Sequence, residues 1–273
     1  RDLSLKYQKL HNILRKTGRV IIAFSGGTDS TFLLRVAKEI LEIPHILAIT
    51  AISETTPREE KREAVRFAET ISIRHILAET HELDLPEFTK NHPDKCYICK
   101  KNRFGAMLKL AREEGFTHLA DGENADDSAD YRPGTIAARE LGVISPLREA
   151  GLTKAEIRLL SKELGLPTWN KPAYACLASR IPYYDPITPE KLGQIDKGEE
   201  FLKSLGLFPQ LRVRHYGDTA RLELCTEDIP KVSENKMRNL ITDYFRTLEF
   251  DFVTLDLDGY RMGSLNKCLE SGV

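Results

Sequence analysis

The chain has 273 residues, 41% apolar and 30% charged, the makeup of a globular protein with room for one large core and a smaller companion. Forty basic against forty-one acidic side chains leave a formal charge of −1, so no global attraction draws it to a polyanion and nucleic acid is disfavoured as an obligatory substrate. No apolar run reaches the roughly 20 residues of a membrane helix, and the start Arg1-Asp2-Leu3-Ser4 is too polar for a secretory segment, so a cytoplasmic protein with no membrane partner is expected.

Leu3, Tyr7, Leu10 and Leu14 recur at helical spacing and predict a first helix that ends at Gly18. Residues 19–24 form an apolar run of strand length without alternation, the mark of a strand buried on both faces. The same reading gives strands over 45–50, 74–78, 117–120 and 143–146, with helices over 57–70 and 100–114. Strands alternating with helices imply βαβ crossovers, so the expected class is α/β, a doubly wound parallel sheet whose ligands sit beyond the carboxyl ends of the strands. After a helix over 153–164, Pro167, Pro172, Pro182, Pro186 and Pro189 crowd together and mark a boundary. The expected organisation is a first domain over 1–170, a linker over 171–187 carrying Cys176, and a smaller α/β domain over 188–273. That last part is expected to hold a helix over 189–205, a hairpin of 211–216 with 221–225 turning at Gly217-Asp218, a helix near 233–248 and a strand over 251–257, with antiparallel pairing.

Ser25-Gly26-Gly27-Thr28-Asp29-Ser30 follows the first strand and precedes a helix whose Phe32, Leu33, Val36, Ala37 and Ile40 form one apolar stripe. The glycines let backbone approach phosphate oxygens, the hydroxyls of Ser25, Thr28 and Ser30 can donate to them, and the helix N-terminus adds positive partial charge. The lysine and longer glycine spacing of a Walker A loop are missing, and so is the dinucleotide fingerprint. A tight turn that merely needs glycine would explain a bare Gly-Gly but not the six-residue string. The string resembles the Ser-Gly-Gly-x-Asp-Ser signature of the PP-loop family of N-type ATP pyrophosphatases, whose fold is adenine nucleotide alpha hydrolase-like. The resemblance implies that residues Ser25 to Ser30 bind ATP and grip the leaving pyrophosphate, that Ser25 and Asp29 act in catalysis with Asp29 as an Mg²⁺ ligand, and that the second strand's end with Thr50 frames the adenine. A second loop, Asp121-Gly122-Glu123-Asn124-Ala125-Asp126-Asp127, gathers carboxylates at a strand end. Gly122 and Asp126 are candidates there for holding Mg²⁺ or the ribose, though Asn124 or Asp126 can equally cap the next helix. Arg58 and Arg139 are candidates for phosphate contact, the alternative being solvated surface.

Five cysteines, Cys96, Cys99, Cys176, Cys225 and Cys268, form an odd and uneven set unlike a disulfide framework, so thiols in metal or sulfur chemistry are expected. Cys96 and Cys99 open a helix at C-x-x-C spacing, a common metal half-site, and one further cysteine would leave one iron of a four-iron cluster open. The alternative is a pair of ordinary thiols on an active-site loop. Cys225 and Cys268 read as small buried hydrophobes.

The strings at 152–158, 169–172 and above all Ala175-Cys176-Leu177-Ala178-Ser179-Arg180 resemble the LarE family, sulfur insertases of nickel-pincer nucleotide biosynthesis, over nearly the whole chain. The resemblance implies an ATP-dependent sulfurtransferase that adenylates a carboxylate of a small nucleotide substrate, pyridinium biscarboxylic acid mononucleotide, and makes it a thiocarboxylate. Cys176 then handles sulfur. In one branch this cysteine gives up its own sulfur; in the other it joins two more cysteines on a [4Fe-4S] cluster fed by sulfide or another sulfur donor, and Cys96 and Cys99 match the second branch. Arg212 and Arg214 lie two apart on one strand face, with Val213 and His215 opposite and Glu223 in reach across the hairpin. Such guanidinium forks suit phosphate and carboxylate, although alternating charges are more often a solvated sheet face. The family match assigns Ser179, Arg180, Glu200, Arg212, Arg214 and Glu223 to substrate binding, and implies a homo-oligomer, trimer or hexamer. The rivals are a tRNA thiolase of the same superfamily and a nucleotide sensor without turnover.

Overall fold

The computed structural model describes residues 2–129, 133–172, 175–207 and 209–261. In chain order they form helix α1 (Asp2–Thr17), strand β1 (Val20–Ala23), α2 (Thr28–Ile40), β2 (Ile46–Ile52), α3 (Arg58–Thr70), β3 (His75–Glu79), α4 (Pro86–Thr89), α5 (Lys95–Glu113), β4 (His118–Ala120), α6 (Pro133–Glu140), α7 (Pro146–Ala150), α8 (Lys154–Glu163), α9 (Pro189–Ser204), β5 (Arg212–Tyr216), β6 (Thr219–Glu223), α10 (Ile229–Ser233), α11 (Asn235–Thr247) and β7 (Phe252–Leu255). They fall into two compact units, Arg1–Glu82 with Asp94–Tyr174, and Leu83–Pro93 with Ala175–Val273.

The first unit is built on a four-stranded parallel sheet in the order β3-β2-β1-β4, with Val20 opposite both Ile46 and His118. Successive residues of β1 point to opposite faces, and both faces are dry. Val20 and Ile22 pack with Phe32, Leu33 and Val36 on one side, whereas Ile21 packs with Ile49, Phe104 and Met107 on the other. Burying each such aliphatic side chain contributes about 1.5–3 kcal/mol, which is why this run reads as a strand without alternation. The α/β sheet expected from the sequence is therefore present, with one correction. The strand expected over 143–146 is reduced to a single parallel bridge between Ala120 and Ile144, because Pro146, which has no N–H for a ladder, opens α7 instead.

The second unit has a three-stranded sheet in the order β5-β6-β7. β5 and β6 form the expected antiparallel hairpin, closed by Gly217 and Asp218 with Gly217 at φ +63°, and β6 begins two residues earlier than expected. β7 pairs with β6 in parallel, a correction to the expected antiparallel pairing: α10 and α11 fill the connection, and a helical crossover returns the chain in the same direction. The helix expected near 233–248 is present as α11, and the short α10 before it is set apart at Glu234, whose backbone is extended. Gly198 on α9 lies where a Cβ would come within 3.0 Å of the Phe245 ring, so its absence lets that ring into the core. Residues Leu83–Pro93 join this unit through Asn91, which is fully buried at φ +58° and donates from Nδ2 to the carbonyls of Pro182 (2.6 Å) and Asp185 (2.9 Å).

Candidate functional site

The phosphate loop turns between β1 and α2 because Gly26 takes φ +71°, and it can do so only as glycine: a Cβ would sit 3.3 Å from the Ala64 backbone of α3. Ser25 Oγ lies 3.1 Å from Ser30 Oγ, the Ser30 hydroxyl accepts from Ser25 N at 3.2 Å, and Ser25 Oγ accepts from Gly27 N at 3.3 Å. This cycle of hydroxyls and amides holds the loop in an anion-receiving shape at the N-terminus of α2. The Thr28 hydroxyl donates to Thr168 O at 2.7 Å, so its side chain ties the loop to the segment after α8.

Asp29 is braced by a residue that the candidate set did not include. Lys154 Nζ lies 2.6 Å from Asp29 Oδ2, and Lys171 Nζ donates to Gly26 O at 3.0 Å while pairing with Glu63. Burial raises the Asp29 pKa above the ordinary carboxylate value, with Lys154 pulling the other way. Lys154 stands where it does because Thr153 caps α8 in a reciprocal box with Glu156, and Asp126 accepts the Lys154 backbone N–H at 2.8 Å. The signal was present in the sequence as a Thr-x-x-Glu capping pattern, but nothing in it tied α8 to the loop.

Beside the loop is a cavity of about 440 Å³ lined by Ser25, Asp29 and Ser30, by Thr50 and Ala51 at the end of β2, by Cys99 and Arg103 of α5, and by Asp121 and Gly122 after β4. Gly122 permits this approach, since a Cβ there would lie 3.0 Å from Ser30 N. Thr50 Oγ1 bonds Phe24 O at 2.5 Å and His75 Nε2 at 2.8 Å, locking the ends of β1, β2 and β3 together. Asp121 is 5% exposed, and its pKa is raised to about 6, by burial first and by neighbouring Glu123 second. Glu123 is held below the usual range: burial opposes ionisation, but Lys100 at 3.1 Å and Arg148 at 2.8 Å outweigh it. Arg58 is exposed at the start of α3, Arg139 is exposed on α6 and Asp126 serves α8; none of the three lines the cavity, whose guanidinium is Arg103.

Cys96 and Cys99 stand three apart in the first turns of α5, hence on neighbouring positions of one helix face, with Cys96 exposed. Cys176 and Cys225 belong to the second unit, and Cys268 lies outside the described residues. Cys225 is half-buried and its thiol donates to Gln210 O. Among the described residues no three His, Cys, Asp or Glu side chains are gathered as a metal-holding group. The donor chemistry of Cys96, Cys99 and Cys176 nevertheless fits iron, which takes thiolates, and Cys99 faces a cavity rather than a packed core.

In the second unit the arginine pair is not a solvated face. Arg212 and Arg214 are each 5% exposed, Val213 and His215 are buried behind them, and Glu223 is wholly buried. Arg214 reaches Glu223 at 2.8 Å and Ser179 O at 2.7 Å, while Arg221 takes the other oxygen of Glu223 at 2.9 Å. Arg212 lies over the Tyr260 ring at 5.0 Å, and burial first, then the charge of Arg180, lowers its pKa. A carboxylate outside the expected set also joins this group: Glu199 is 5% exposed and forks onto Arg180 at 2.9 and 3.0 Å, while the neighbouring Glu200 is exposed.

Comparison with known proteins fixes the relationship. A PP-loop domain model matches residues 2–131. The pyridinium-3,5-bisthiocarboxylic acid mononucleotide synthase of Lactiplantibacillus plantarum is 36% identical over 98% of this chain and 96% of its own length. The chain belongs to the LarE family. Other relatives are an uncharacterized protein of Synechocystis, 40% identical over 98% of this chain and 99% of its own, and one of Methanocaldococcus jannaschii, 30% identical over 94% and 97%. LarE-family membership agrees with the loop geometry, and no described helix is long and apolar enough to cross a membrane.

Proposed function

We propose that this chain is an ATP-dependent sulfurtransferase that adenylates a carboxylate of pyridinium biscarboxylic acid mononucleotide and converts it to a thiocarboxylate. The observation that carries the reading is that a preformed phosphate loop and a thiol, Cys99, share the wall of one cavity. The substrate carboxylate attacks the α-phosphorus, the bond to the pyrophosphate oxygen breaks, and the amides and hydroxyls of Ser25 to Ser30 receive the departing charge. Asp29 would hold Mg²⁺ there, with Gly122 leaving room for the phosphates. A sulfur nucleophile then attacks the acyl carbon and displaces AMP.

Cys176 handles that sulfur in this reading. Cys96, Cys99 and Cys176 would hold a [4Fe-4S] cluster, which when bound supplies an open iron for sulfide. Arg212 and Arg214 present positive charge for the substrate's phosphate and carboxylates, with Glu223 holding Arg214 in place. The test is anaerobic purification with iron and sulfide analysis of wild type and Cys99→Ala, followed by product analysis with ATP and the pyridinium substrate. Formation of AMP and pyrophosphate with repeated turnover, lost with iron in Cys99→Ala, is expected. An iron-free wild type that turns over once and loses sulfur from Cys176 would replace the cluster by a sacrificial cysteine, and ADP as product would end the reading.

A further inference from the structure

The guanidinium of Arg180 is the largest side chain wholly sealed from solvent in the described residues, at 0% exposure. A group meant to meet a substrate needs a face toward it, and this one turns its donors inward. Nε and Nη2 fork onto Glu199 at 2.9 and 3.0 Å, and Nη1 donates to Ala175 O, to Cys176 O at 2.9 Å and to Ser179 Oγ at 3.0 Å. Glu199 in turn accepts the Val213 backbone N–H at 3.1 Å, so the fork is anchored on β5.

The peptide it grips is unusual. The carbonyl of Cys176 accepts three donors: Ser179 N at 2.9 Å, Ser179 Oγ at 2.8 Å and Arg180 Nη1 at 2.9 Å. Ser179 O is itself held by Arg214 at 2.7 Å. A carbonyl has two lone pairs, and a charge-assisted third donor leaves its peptide plane little freedom. Cys176 precedes the short turn over Leu177–Arg180, and its thiol is half-buried rather than packed away. The backbone on which the thiol hangs is therefore fixed by a buried ion pair, while the thiol itself stays accessible.

We propose that Arg180, anchored by Glu199, is a positioning residue for Cys176 rather than a substrate ligand: it clamps the Cys176 peptide and so sets where the thiol is presented. This rests on the role given to Cys176 above. The clamp explains why the arginine sits four residues after the cysteine, since one turn of 3₁₀ backbone brings the guanidinium back under the carbonyl at that spacing.

The experiment compares wild type with Arg180→Lys, which keeps the charge but loses the fork, and with the double variant Arg180→Gln and Glu199→Gln, which removes both charges of the fork together and can still accept from Val213 N. Iodoacetamide alkylation of Cys176 is followed by peptide mass spectrometry, with Cys225 as internal reference. The expected result is a change of at least ~5-fold in Cys176 alkylation with Cys225 unchanged, a sulfur-transfer kcat lowered by about 10- to 100-fold, and a KM for the pyridinium substrate within about 3-fold of wild type. A KM raised ~10-fold or more with kcat retained would make Arg180 a substrate ligand and overturn the proposal, as would Cys176 alkylation unchanged in both variants. Cys176→Ala separates the two readings: if it transfers sulfur repeatedly, the assigned function of Cys176 fails, while the alkylation result still decides whether Arg180 clamps the loop.

Discussion

Around the phosphate loop, the charged pair Asp29 and Lys154 keeps 21% and 30% of its side-chain surface exposed and faces an open cavity, whereas in the second unit Arg180 with Glu199, at 1% and 7%, is closed from water. The difference separates two uses of charge. A partly hydrated pair contributes little to stability and exchanges partners readily, which suits the Mg²⁺-holding role proposed for Asp29. A dry pair resists any such exchange, because removing one partner strands the other in a low dielectric. The first arrangement is a receptacle and the second a frame.

The contrast predicts opposite phenotypes. Glu199→Ala leaves Arg180 buried without its carboxylate and is expected to cost about 3–5 kcal/mol of unfolding free energy, measured in urea, with the Arg180→Gln and Glu199→Gln double variant losing much less. Loss of less than about 1 kcal/mol in the single variant would show that water reaches the pair. Asp29→Asn should do the reverse. Stability stays within about 1 kcal/mol of wild type, while pyrophosphate release falls by ~10²- to 10³-fold, as expected for removal of a preorganised charge at the reacting phosphates. If Asp29→Asn unfolds the protein instead, the loop is part of the frame.

What the sequence made legible follows the same division. The receptacle is local: Ser25 to Ser30 lie in one stretch, the strand before them is an unbroken apolar run, and Gly26 must be glycine for a backbone reason that spacing reveals. The frame is not. Arg180, Glu199 and Val213 come from three separated segments, and which carboxylate of α9 meets Arg180 depends on which face of the helix packs on β5. A helix with a weak apolar stripe does not reveal that face. Lys154 escaped for a related reason. Its local signature is a helix cap, and only the tertiary approach of α8 to the loop turns a capping residue's neighbour into the partner of Asp29. Parallel pairing of β7 was readable in principle, since two helices intervene between it and β6.

Asp121 lies between the two regimes and gives the smallest of these effects. It lines the cavity like Asp29 but is buried like Glu199, and burial together with Glu123 raises its pKa from 3.8 to about 6, Lys100 opposing. A carboxyl whose folded pKa is raised binds its proton more tightly in the folded than in the unfolded chain. Its contribution to stability is then fully present below pH 3.8 and is lost as the pH climbs through about 6. Asp121→Asn cannot ionise and can still accept the Glu123 N–H that Asp121 Oδ1 takes at 3.2 Å. Thermal unfolding of the nucleotide-free protein should therefore show the variant equal to wild type near the lower limit and more stable by about 1–3 kcal/mol above the upper one, each pKa unit being worth about 1.4 kcal/mol. A difference that stays flat across that range would mean Asp121 is as well hydrated in the folded protein as in the unfolded chain, and the cavity floor would then belong with Asp29 rather than between the two.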